Sequence, residues 1–307
     1  MASKMAIDLT QPKNVGTSSA EDLSDPNYLK IRDLIYQISG IYQSEDKLYL
    51  LASRCARRMA AVNAKTPGEY LEHLTIRANR DAELRSLLNE ITIGETYMFR
   101  SPQQLQALKS VVLPQIIEAK AKLGFKRLRL WSAGCSTGEE PYTLAMFLLE
   151  ESEALLKGWT YEILATDLND NSLVAAKAGV YGEYALRSTT EPLRRKYFLP
   201  VDEKRMRAGD QLKSLIRFDR VNLSDDSKVV FLKGIDIIFC CNVLIYFDLS
   251  SKRKVVQHFY ANLLPGGYLF LGHAESLYQV DDTFRLVHFP GTIGYWKPPV
   301  GYSGGKP

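Results

Sequence analysis

Residues Leu130–Tyr142, LWSAGCSTGEEPY, constrain the fold more than any other stretch of this chain. The stretch begins inside an apolar segment, Arg127–Ser132, that is typical of a short buried strand. Two glycines, Gly134 and Gly138, follow, and the pattern then becomes helical over Thr143–Glu151. In open α/β sheets, a strand, a glycine turn and a helix in this order build a nucleotide-sized pocket at the carboxyl ends of the strands. We therefore expect such a sheet, with a ligand crevice at this turn.

Two acidic residues, Glu139 and Glu140, lie where this turn meets the helix. A phosphate-binding loop usually leaves that position to an anion, because a helix N-terminus attracts negative charge. The glycine spacing, G-x-x-x-G, also differs from the G-x-G-x-x-G of dinucleotide-binding proteins, and Asp167 follows Gly138 by more than the roughly 20 residues expected there. We therefore expect a nucleoside that carries a positive charge. S-adenosylmethionine, with its sulfonium and ammonium groups, fits that description.

Strands and helices alternate after Pro102, which is typical of a mainly parallel sheet covered by helices on both faces. A helix over Gln103–Lys122, interrupted near Pro114, comes first. The main predicted elements that follow are the strands Arg127–Ser132, Tyr161–Thr166, Leu215–Phe218, Ile235–Cys240 and Tyr268–Gly272 and the helices Asn171–Ala178 and Ser250–Leu263. The expected fold class is therefore α/β, with a Rossmann-like sheet.

The last part of the chain predicts the end of this sheet. Pro265, Gly266 and Gly267 are typical of a turn into a late strand. The segments Phe284–Phe289 and Gly294–Trp296 predict a closing antiparallel hairpin.

The sequence predicts several parts with different character. The segment from residue 26 to 90 has helical spacing throughout, whereas the basic stretch 179–211 breaks the later alternation and is too long for a bare loop. The expected parts are a disordered polar tail at 1–25, an all-α domain at 26–90, a linker that contributes to the site at 91–101, the sheet domain at 102–298 with an inserted subdomain at about 180–215, and a flexible tail at 299–307.

The composition is ordinary for a globular protein, with 46% hydrophobic and 24% charged residues among 307. No apolar run approaches the roughly 18 residues of a membrane span. The first residues lack the apolar core of a signal peptide, so we expect a cytoplasmic location. A net charge of +4 is too small to indicate nucleic-acid binding. The cysteines lack metal-ligand spacing, and the adjacent Cys240 and Cys241 are interpreted as buried free thiols.

Polar residues near the predicted strand ends are candidates for ligand contacts. Asp167 could accept hydrogen bonds from ribose hydroxyls, although it could instead cap the following helix. Asn222 could bind an adenine edge, although alone it would be an ordinary loop residue. Asn242 follows an apolar strand and needs a partner if it is buried. Tyr246 could share this rim or be a core aromatic whose hydroxyl reaches the surface.

Arg100, in the linker segment ETYMFR, could hold a carboxylate through a bidentate pair, although alone it would be a solvated arginine. The histidines, His73, His258, His273 and His288, are scattered without an acid or a nucleophile at suitable spacing. The sequence contains no Gly-x-Ser-x-Gly elbow and no His/Cys cluster. It therefore gives no reason to expect hydrolysis or metal catalysis, and no metal is expected.

Taken together, these motifs resemble those of the chemotaxis receptor glutamate methyltransferases, the CheR family. The resemblance covers residues 26–297, and the motifs are specific as an ordered set rather than one by one. They are Glu95–Arg100, Trp131–Tyr142, Ala165–Asp167, Val221–Leu223, Ile238–Phe247 and Leu271–Ser276.

The resemblance implies an S-adenosylmethionine-dependent methyltransferase sheet behind a small all-α N-terminal domain, with an inserted β-subdomain. The implied reaction is methyl transfer to glutamate side chains of methyl-accepting chemoreceptors, which gives glutamyl methyl esters and S-adenosylhomocysteine. The implied partner is the cytoplasmic helical bundle of these receptors, and we expect a monomer. The resemblance and the glycine turn together predict cofactor contacts at Gly94, Thr96, Arg100, Gly134, Glu139 (or its neighbour Glu140), Asp167, Asn222, Leu223 and Asn242.

Arg100 and Tyr246 are implied to orient the acceptor carboxylate. The chain departs from the family pattern at Gly94, where many members carry Asn, and at Cys241, where many carry Arg. Residues Tyr197–Leu215 lack the glycine-rich loop of members that dock on a receptor's C-terminal pentapeptide, so we expect this chain to work without that tether.

Two other functions remain open on the sequence: an O-methyltransferase for another acceptor, and a non-catalytic regulator that binds S-adenosylmethionine or S-adenosylhomocysteine. Methylation of nucleic acid is disfavoured, because an Asn/Asp-Pro-Pro-Tyr type motif would then be expected where Cys241–Leu244 stands.

Basic residues on the second predicted helix, Arg54, Arg57 and Arg58, could form a cationic face together with those of the inserted segment. Such a face would steer acidic receptor helices, and the effect would fade with salt. A solvated helix face is the other interpretation.

Overall fold

The computed structural model describes residues 25–92, 94–229, 232–299, 301–302 and 304. The predicted tail at 1–25 lies outside the described residues, apart from Asp25. The first described part is a bundle of four helices, α1 (Asn27–Ser39), α2 (Leu48–Val62), α3 (Pro67–Thr75) and α4 (Arg80–Ile91). The small all-α domain expected here is confirmed.

One carboxylate organises the interior of this bundle. Glu83 on α4 is only 4% exposed, and it accepts hydrogen bonds from Arg58 Nε at 2.9 Å and Nη2 at 2.7 Å and from the Tyr70 hydroxyl at 2.8 Å. Three charge-assisted bonds offset the cost of burying that carboxylate. The carboxylate therefore links α2, α3 and α4 inside an otherwise apolar core, which includes Ile31, Leu51 and Leu87.

The predicted interrupted helix consists of two α-helices joined by a π-helical turn. They are α5 (Pro102–Ala107) and α6 (Leu113–Ala121), and the turn spans Leu108–Val112. Pro114 stands in the first turn of α6, where a missing N–H is tolerated. The backbone therefore adjusts just before the proline, as a π turn allows.

The main sheet has seven strands, in the spatial order β6-β2-β1-β7-β8-β10-β9. The strands are β1 (Arg127–Ala133), β2 (Thr160–Asp167), β6 (Ile216–Arg220), β7 (Ile235–Cys240), β8 (Leu263–Leu271), β9 (Arg285–Phe289) and β10 (Thr292–Trp296). The first five strands in that order pair in parallel, and β10 pairs antiparallel with both β8 and β9. The predicted Rossmann-like sheet and its closing hairpin are confirmed.

Helices cover both faces of this sheet, so its central strands are apolar on both sides. On β1, Leu130 packs into the cluster that holds α5, α6 and α7 (Glu139–Glu150), whereas Trp131 packs against α13 (Leu249–Asn262). Trp131 meets Phe259 of α13 edge to face, with ring centroids 5.3 Å apart. Helices α8 (Asp170–Ala178) and α12 (Asp226–Val229) follow β2 and β6 along the chain.

The segment predicted as an insertion forms a small sheet of its own, in the order β3-β5-β4 with antiparallel pairing. Its strands are β3 (Val180–Gly182), β4 (Phe198–Pro200) and β5 (Arg205–Ala208), and its helices are α9 (Glu183–Leu186), α10 (Glu191–Tyr197) and α11 (Asp210–Lys213).

Two local predictions need correction. Helix α7 begins at Glu139, ahead of the predicted Thr143, because Gly138 in the left-handed region lets the chain enter the helix directly. The Pro265–Gly267 segment lies within β8 rather than before it. Ile235 pairs with Leu263 and Ile237 with Tyr268, so the extra residues form an irregularity inside the strand.

Replacing Glu83 with Ala should lower the free energy of unfolding by about 3 kcal/mol, because it leaves Arg58 and the Tyr70 hydroxyl without their buried acceptor. The matched control is Glu90→Ala, which removes the more exposed pair between Arg57 and Glu90 and should cost less than about 1 kcal/mol. Urea unfolding followed by circular dichroism measures both. Equal losses for the two variants would contradict this account of the bundle core.

Candidate active site

A cavity of about 260 Å³ lies at the carboxyl ends of the parallel strands, where open α/β sheets bind their ligands. Its wall combines both parts of the chain. The all-α domain contributes Ser39, Ile41, Ile91 and Thr92. The rest comes from the segment before α5, from the first turns of α5 and α7, and from the ends of β2 and β7 with the loops that follow β1, β2, β6 and β7.

The turn after β1 is fixed to the end of β2. The backbone N–H groups of Gly134 and Cys135 donate to the Thr166 carbonyl at 2.8 and 2.9 Å. Gly134 has a φ of +80°, and a Cβ there would overlap the Val243 side chain. Glycine is therefore required by both the backbone conformation and the close approach of the loop after β7.

Asp167 lies on the cavity wall at the end of β2. Its carboxylate accepts the backbone N–H of Ser136 at 2.7 Å and that of Asn169 at 2.8 Å. Burial raises the pKa of Asp167 in spite of these two bonds. The side chain that caps α8 is that of Asn169, which accepts a hydrogen bond from Ser172 N at 3.0 Å. Asp167 is therefore not the residue that caps this helix.

The two acids at the start of α7 have different surroundings. Glu139, the predicted cofactor contact, is buried, accepts a hydrogen bond from Thr137 Oγ1 at 2.7 Å, and does not line the cavity. Glu140 lines the cavity and accepts from Ser132 Oγ at 2.6 Å. Of the two acids, Glu140 therefore faces the cavity, because successive helical residues point in directions about 100° apart.

Burial raises the pKa of Glu140 to about 7. The Ser132 hydroxyl opposes this rise by donating to the carboxylate, and the positive charge of Arg100 opposes it more weakly. The negative charge of Glu275 acts in the same direction as burial. Glu140 is therefore a carboxyl group that can change its charge near neutral pH when a cation enters or leaves the cavity.

Asn222 and Leu223 also line the cavity. Asn222 already makes two hydrogen bonds, since its Nδ2 donates to the Ile38 carbonyl at 2.7 Å and its Oδ1 accepts from Ser224 N at 3.0 Å. It thus joins the end of α1 to the loop after β6. The amide keeps one further N–H and one further lone pair for a ligand.

The loop after β7 depends on a carboxylate to which the sequence pattern assigned no role. Glu275 is 7% exposed, and it accepts the backbone N–H groups of Asn242 at 2.6 Å and of Gly272 at 2.7 Å. Asn242 lines the cavity with a φ of +62°, a conformation that asparagine tolerates. The signal for Glu275 was present in the sequence as the one acid in the motif Leu271–Ser276, which begins at the last residue of β8.

Cys241 and Gln104 meet on the cavity wall. Cys241 Sγ lies 3.6 Å from Gln104 Oε1, and Gln104 Nε2 donates to the Leu271 carbonyl at 2.6 Å. Burial raises the pKa of the Cys241 thiol, so it stays protonated and neutral. Cys55, Cys135 and Cys240 are buried free thiols, and the interpretation of Cys240 is thereby confirmed, whereas Cys241 is only partly buried.

Arg100 is the one lysine or arginine among the described residues that line the cavity. Its Nη1 donates to the Glu95 carbonyl at 2.8 Å, which leaves other guanidinium donors for a ligand. Gly94 and Thr96 line the wall beside it, and Tyr246 lies at the rim with 46% of its surface exposed. All predicted site residues except Glu139 therefore lie around one cavity.

Part of the expected cationic face is paired within the chain. On α2, Arg58 pairs with Glu83, and Arg57 Nη2 lies 2.9 Å from Glu90. In the insertion the ion pairs are Arg194–Glu183, Arg195–Glu191, Lys196–Glu150 and Arg205–Asp202. These six basic residues therefore do not contribute unpaired positive charge to the surface.

Metal ligands and membrane-spanning helices are both absent from the described ranges. No group of His, Cys, Asp and Glu there has the arrangement of a metal site. Within the same ranges, no helix is both long and apolar enough to span a bilayer.

Two family models match the chain. The model "CheR methyltransferase, all-alpha domain" covers residues 26–92, and "CheR methyltransferase, SAM binding domain" covers residues 94–293. The chain belongs to the CheR methyltransferase family. The family resemblance read from the motifs is thereby confirmed.

Curated relatives match over most of the chain. It is 34% identical to chemotaxis protein methyltransferase 2 of Vibrio cholerae over 284 residues, which are 92% of this chain and 97% of that one. It is 36% identical to chemotaxis protein methyltransferase 1 of Pseudomonas aeruginosa over 85% of this chain and 94% of that one. A chemotaxis protein methyltransferase of Borreliella burgdorferi is 33% identical over 80% and 86% of the two chains.

Replacing Gly134 with Ala should destabilise the protein by about 2 to 4 kcal/mol, because the new methyl group both strains the backbone and overlaps Val243. Gly158→Ala is the control, since Gly158 has a similar φ of +77° but open space around it. That variant should lose only the stability that corresponds to backbone strain. Thermal unfolding of both variants gives the comparison. If Gly134→Ala proved as stable as Gly158→Ala, the close approach to Val243 would be unimportant.

Proposed function

We propose that this chain transfers the methyl group of S-adenosylmethionine to glutamate side chains of methyl-accepting chemoreceptors and so forms glutamyl methyl esters. The proposal rests on one cavity whose wall holds Glu140 and Asp167 together with Arg100, the one lysine or arginine among the described wall residues. Membership in the CheR family and the printed names of the relatives support it. The proposed place of action is the cytoplasm, where the receptor's helical bundle lies.

The wall residues fit S-adenosylmethionine. Glu140 and Asp167 offer carboxylates for an ammonium group and for ribose hydroxyls, and Asn222 offers a free donor and acceptor for an adenine edge. Gly94 and Gly134 let the wall segments approach one another closely. A Cβ at position 94 would lie 3.0 Å from Ser136 Oγ, and one at position 134 would overlap Val243. We therefore propose that these five residues, with Thr96, Arg100, Leu223 and Asn242, hold the cofactor. When bound, the cofactor supplies an electrophilic methyl group on a sulfonium.

The chain's task toward the acceptor is orientation. A glutamate side chain titrates near ~4.3 and is already ionised at neutral pH, so no general base is needed. Arg100 can hold one carboxylate through paired hydrogen bonds, and the Tyr246 hydroxyl at the rim can contact the same group. Correct alignment of the reacting atoms can supply much of the rate increase, provided that the carboxylate is not bound too tightly in its ground state.

An O-methyltransferase for another acceptor is the second candidate function. The neutral Cys241 leaves Arg100 as the cation on the described part of the wall, against the acids Glu95, Glu140 and Asp167. This balance attracts a cationic cofactor strongly and an anionic acceptor weakly. A non-catalytic regulator is less well supported, because Arg100 and Tyr246 are both present at the cavity.

We also propose that the receptor is methylated without a C-terminal docking peptide. The turn between β4 and β5 is short, and Asp202 closes it by accepting the backbone N–H groups of Lys204 at 3.0 Å and Arg205 at 2.8 Å. The turn contains no glycine, so it does not supply the flexible backbone that a glycine-rich docking loop would have.

The test is methyl transfer from labelled S-adenosylmethionine to purified cytoplasmic fragments of chemoreceptors, with and without their C-terminal tails. Base-labile label on glutamates, at equal rates for both fragments, is the expected result. Label only on the tailed fragment would overturn tether independence alone. Tight binding of S-adenosylhomocysteine without label on any receptor fragment would overturn the proposed substrate.

Replacing Arg100 with Ala should lower kcat/KM for the receptor fragment by about 100-fold, because a charge-assisted bidentate contact to the acceptor is lost. Arg100→Lys keeps the charge but not the planar fork, so it should recover only part of the loss. Initial rates of label incorporation give both values. Wild-type kcat/KM in the alanine variant would remove Arg100 from the acceptor site.

Binding of S-adenosylhomocysteine should weaken as the pH falls below about 7. The raised pKa of Glu140 means that its carboxyl group is ionised only above that value, and the ionised form attracts the ligand's ammonium. The dissociation constant should approach a tenfold rise per pH unit on the acid side. Calorimetry from about pH 5.5 to 8.5, a range that spans the raised pKa, measures it, and adenosine, which lacks the ammonium, is the control. Identical profiles for the two ligands would contradict the role of Glu140.

A further inference from the structure

Residues 94–101, here called the cavity strap, connect α4 to α5 without helix or strand and close one side of the cavity. The strap side chains on the wall include Glu95, Thr96, Tyr97 and Arg100. A segment without regular backbone pairing depends on other contacts to stay in one position. The position of Arg100 therefore depends on what holds the strap.

Two backbone contacts hold the middle of the strap. Met98 N donates to the Ala185 carbonyl of α9 at 2.9 Å, and Phe99 N donates to Thr143 Oγ1 of α7 at 3.0 Å. Phe99 has a φ of +55°, which is unfavourable for a bulky side chain and persists only where neighbouring contacts enforce it. The strap is thus held between the main domain and the inserted sheet.

Arg187, which follows α9 in the inserted subdomain, contacts the strap through its side chain. Its guanidinium carbon lies 3.4 Å from the ring centroid of Tyr97 and 3.8 Å from that of Tyr184. Arg187 Nη1 donates to the Tyr184 carbonyl at 2.6 Å, and the Tyr184 hydroxyl donates to the Glu95 carboxylate. A planar cation between two aromatic rings is a favourable and orientation-dependent arrangement.

The strap residues that these contacts hold are Tyr97 and Glu95, and Arg100 contacts both of them. The Arg100 guanidinium carbon lies 5.8 Å from the Tyr97 ring centroid, and its Nη1 donates to the Glu95 carbonyl. Arg187 itself does not line the cavity. Any effect of Arg187 on the reaction must therefore pass through Tyr97 and the strap.

We propose that Arg187 is a positioning residue through which the inserted subdomain holds the cavity strap and sets the place of Arg100. The functional part of this inference rests on the proposed role of Arg100 in binding the acceptor carboxylate. The inserted subdomain would then help to position the cavity strap, in addition to any binding at its outer surface.

The experiment compares Arg187→Ala with Arg195→Ala in the full chain. Arg195 is a matched control, because it lies in the same subdomain and its one ion pair among the described residues is with Glu191 on its own helix α10. Tyr184→Phe is the second variant, since it removes the hydroxyl contact to Glu95 and keeps the ring under Arg187. Each protein is measured by hydrogen exchange of the peptide that covers residues 94–101, and by kcat and KM for the receptor fragment.

In Arg187→Ala, exchange in residues 94–101 should be about tenfold faster, and acceptor KM should rise by about tenfold with a smaller change in kcat. Tyr184→Phe should raise the exchange rate and the acceptor KM by smaller factors, and Arg195→Ala should change neither the exchange rate nor KM. Unchanged exchange in Arg187→Ala would overturn the inference, whether or not the enzyme is active. Faster exchange with unchanged KM would overturn the link to Arg100. A wild-type protein that methylates no receptor fragment would overturn the proposed function alone, and the exchange data would still decide whether Arg187 holds the strap.

Discussion

The attachment of the turn after β1 to the end of β2 is the interaction on which the rest of the cavity depends. The Thr166 carbonyl receives the N–H groups of Gly134 and Cys135, while the Thr166 hydroxyl receives the Trp131 indole N–H at 2.8 Å. The next residue, Asp167, receives Ser136 N. These bonds fix the start of α7 against the strand ends. Glu140 and Asp167 thereby come to face one cavity although they belong to different strand–helix units.

Charged groups of both signs line this cavity. Burial raises the pKa values of Glu140 and Asp167, which lie where a cationic nucleoside would relieve the cost of their charges. Arg100 is the described cation on the wall, and it depends on a strap held partly by the inserted subdomain. Because most other arginines are paired within the chain, recognition of an acceptor would depend more on Arg100 and on the shape of the rim than on a broad cationic surface.

The sequence was sufficient for features that depend on local pattern. Apolar runs located the strands, and polar residues at their ends, such as Asp167 and Asn242, marked the cavity. Features set by contacts distant in sequence were missed. Gln104 meets Cys241 across 137 residues, and Glu275 reaches Asn242 across 33. The sequence left the choice between Glu139 and Glu140 open for another reason: it depends on the first residue of α7, which hydrophobic periodicity does not fix.

We propose that Glu140, rather than its neighbour Glu139, provides the acid for a cationic cofactor. Calorimetric titration of Glu140→Gln and Glu139→Gln with S-adenosylhomocysteine at about pH 8, above the raised pKa of Glu140, tests this proposal. Glu140→Gln should weaken binding by about tenfold or more, as expected for a lost charge-assisted hydrogen bond, and Glu139→Gln should leave the affinity near that of the wild type. The reverse order, or equal affinity in both variants, would contradict this account of the cavity.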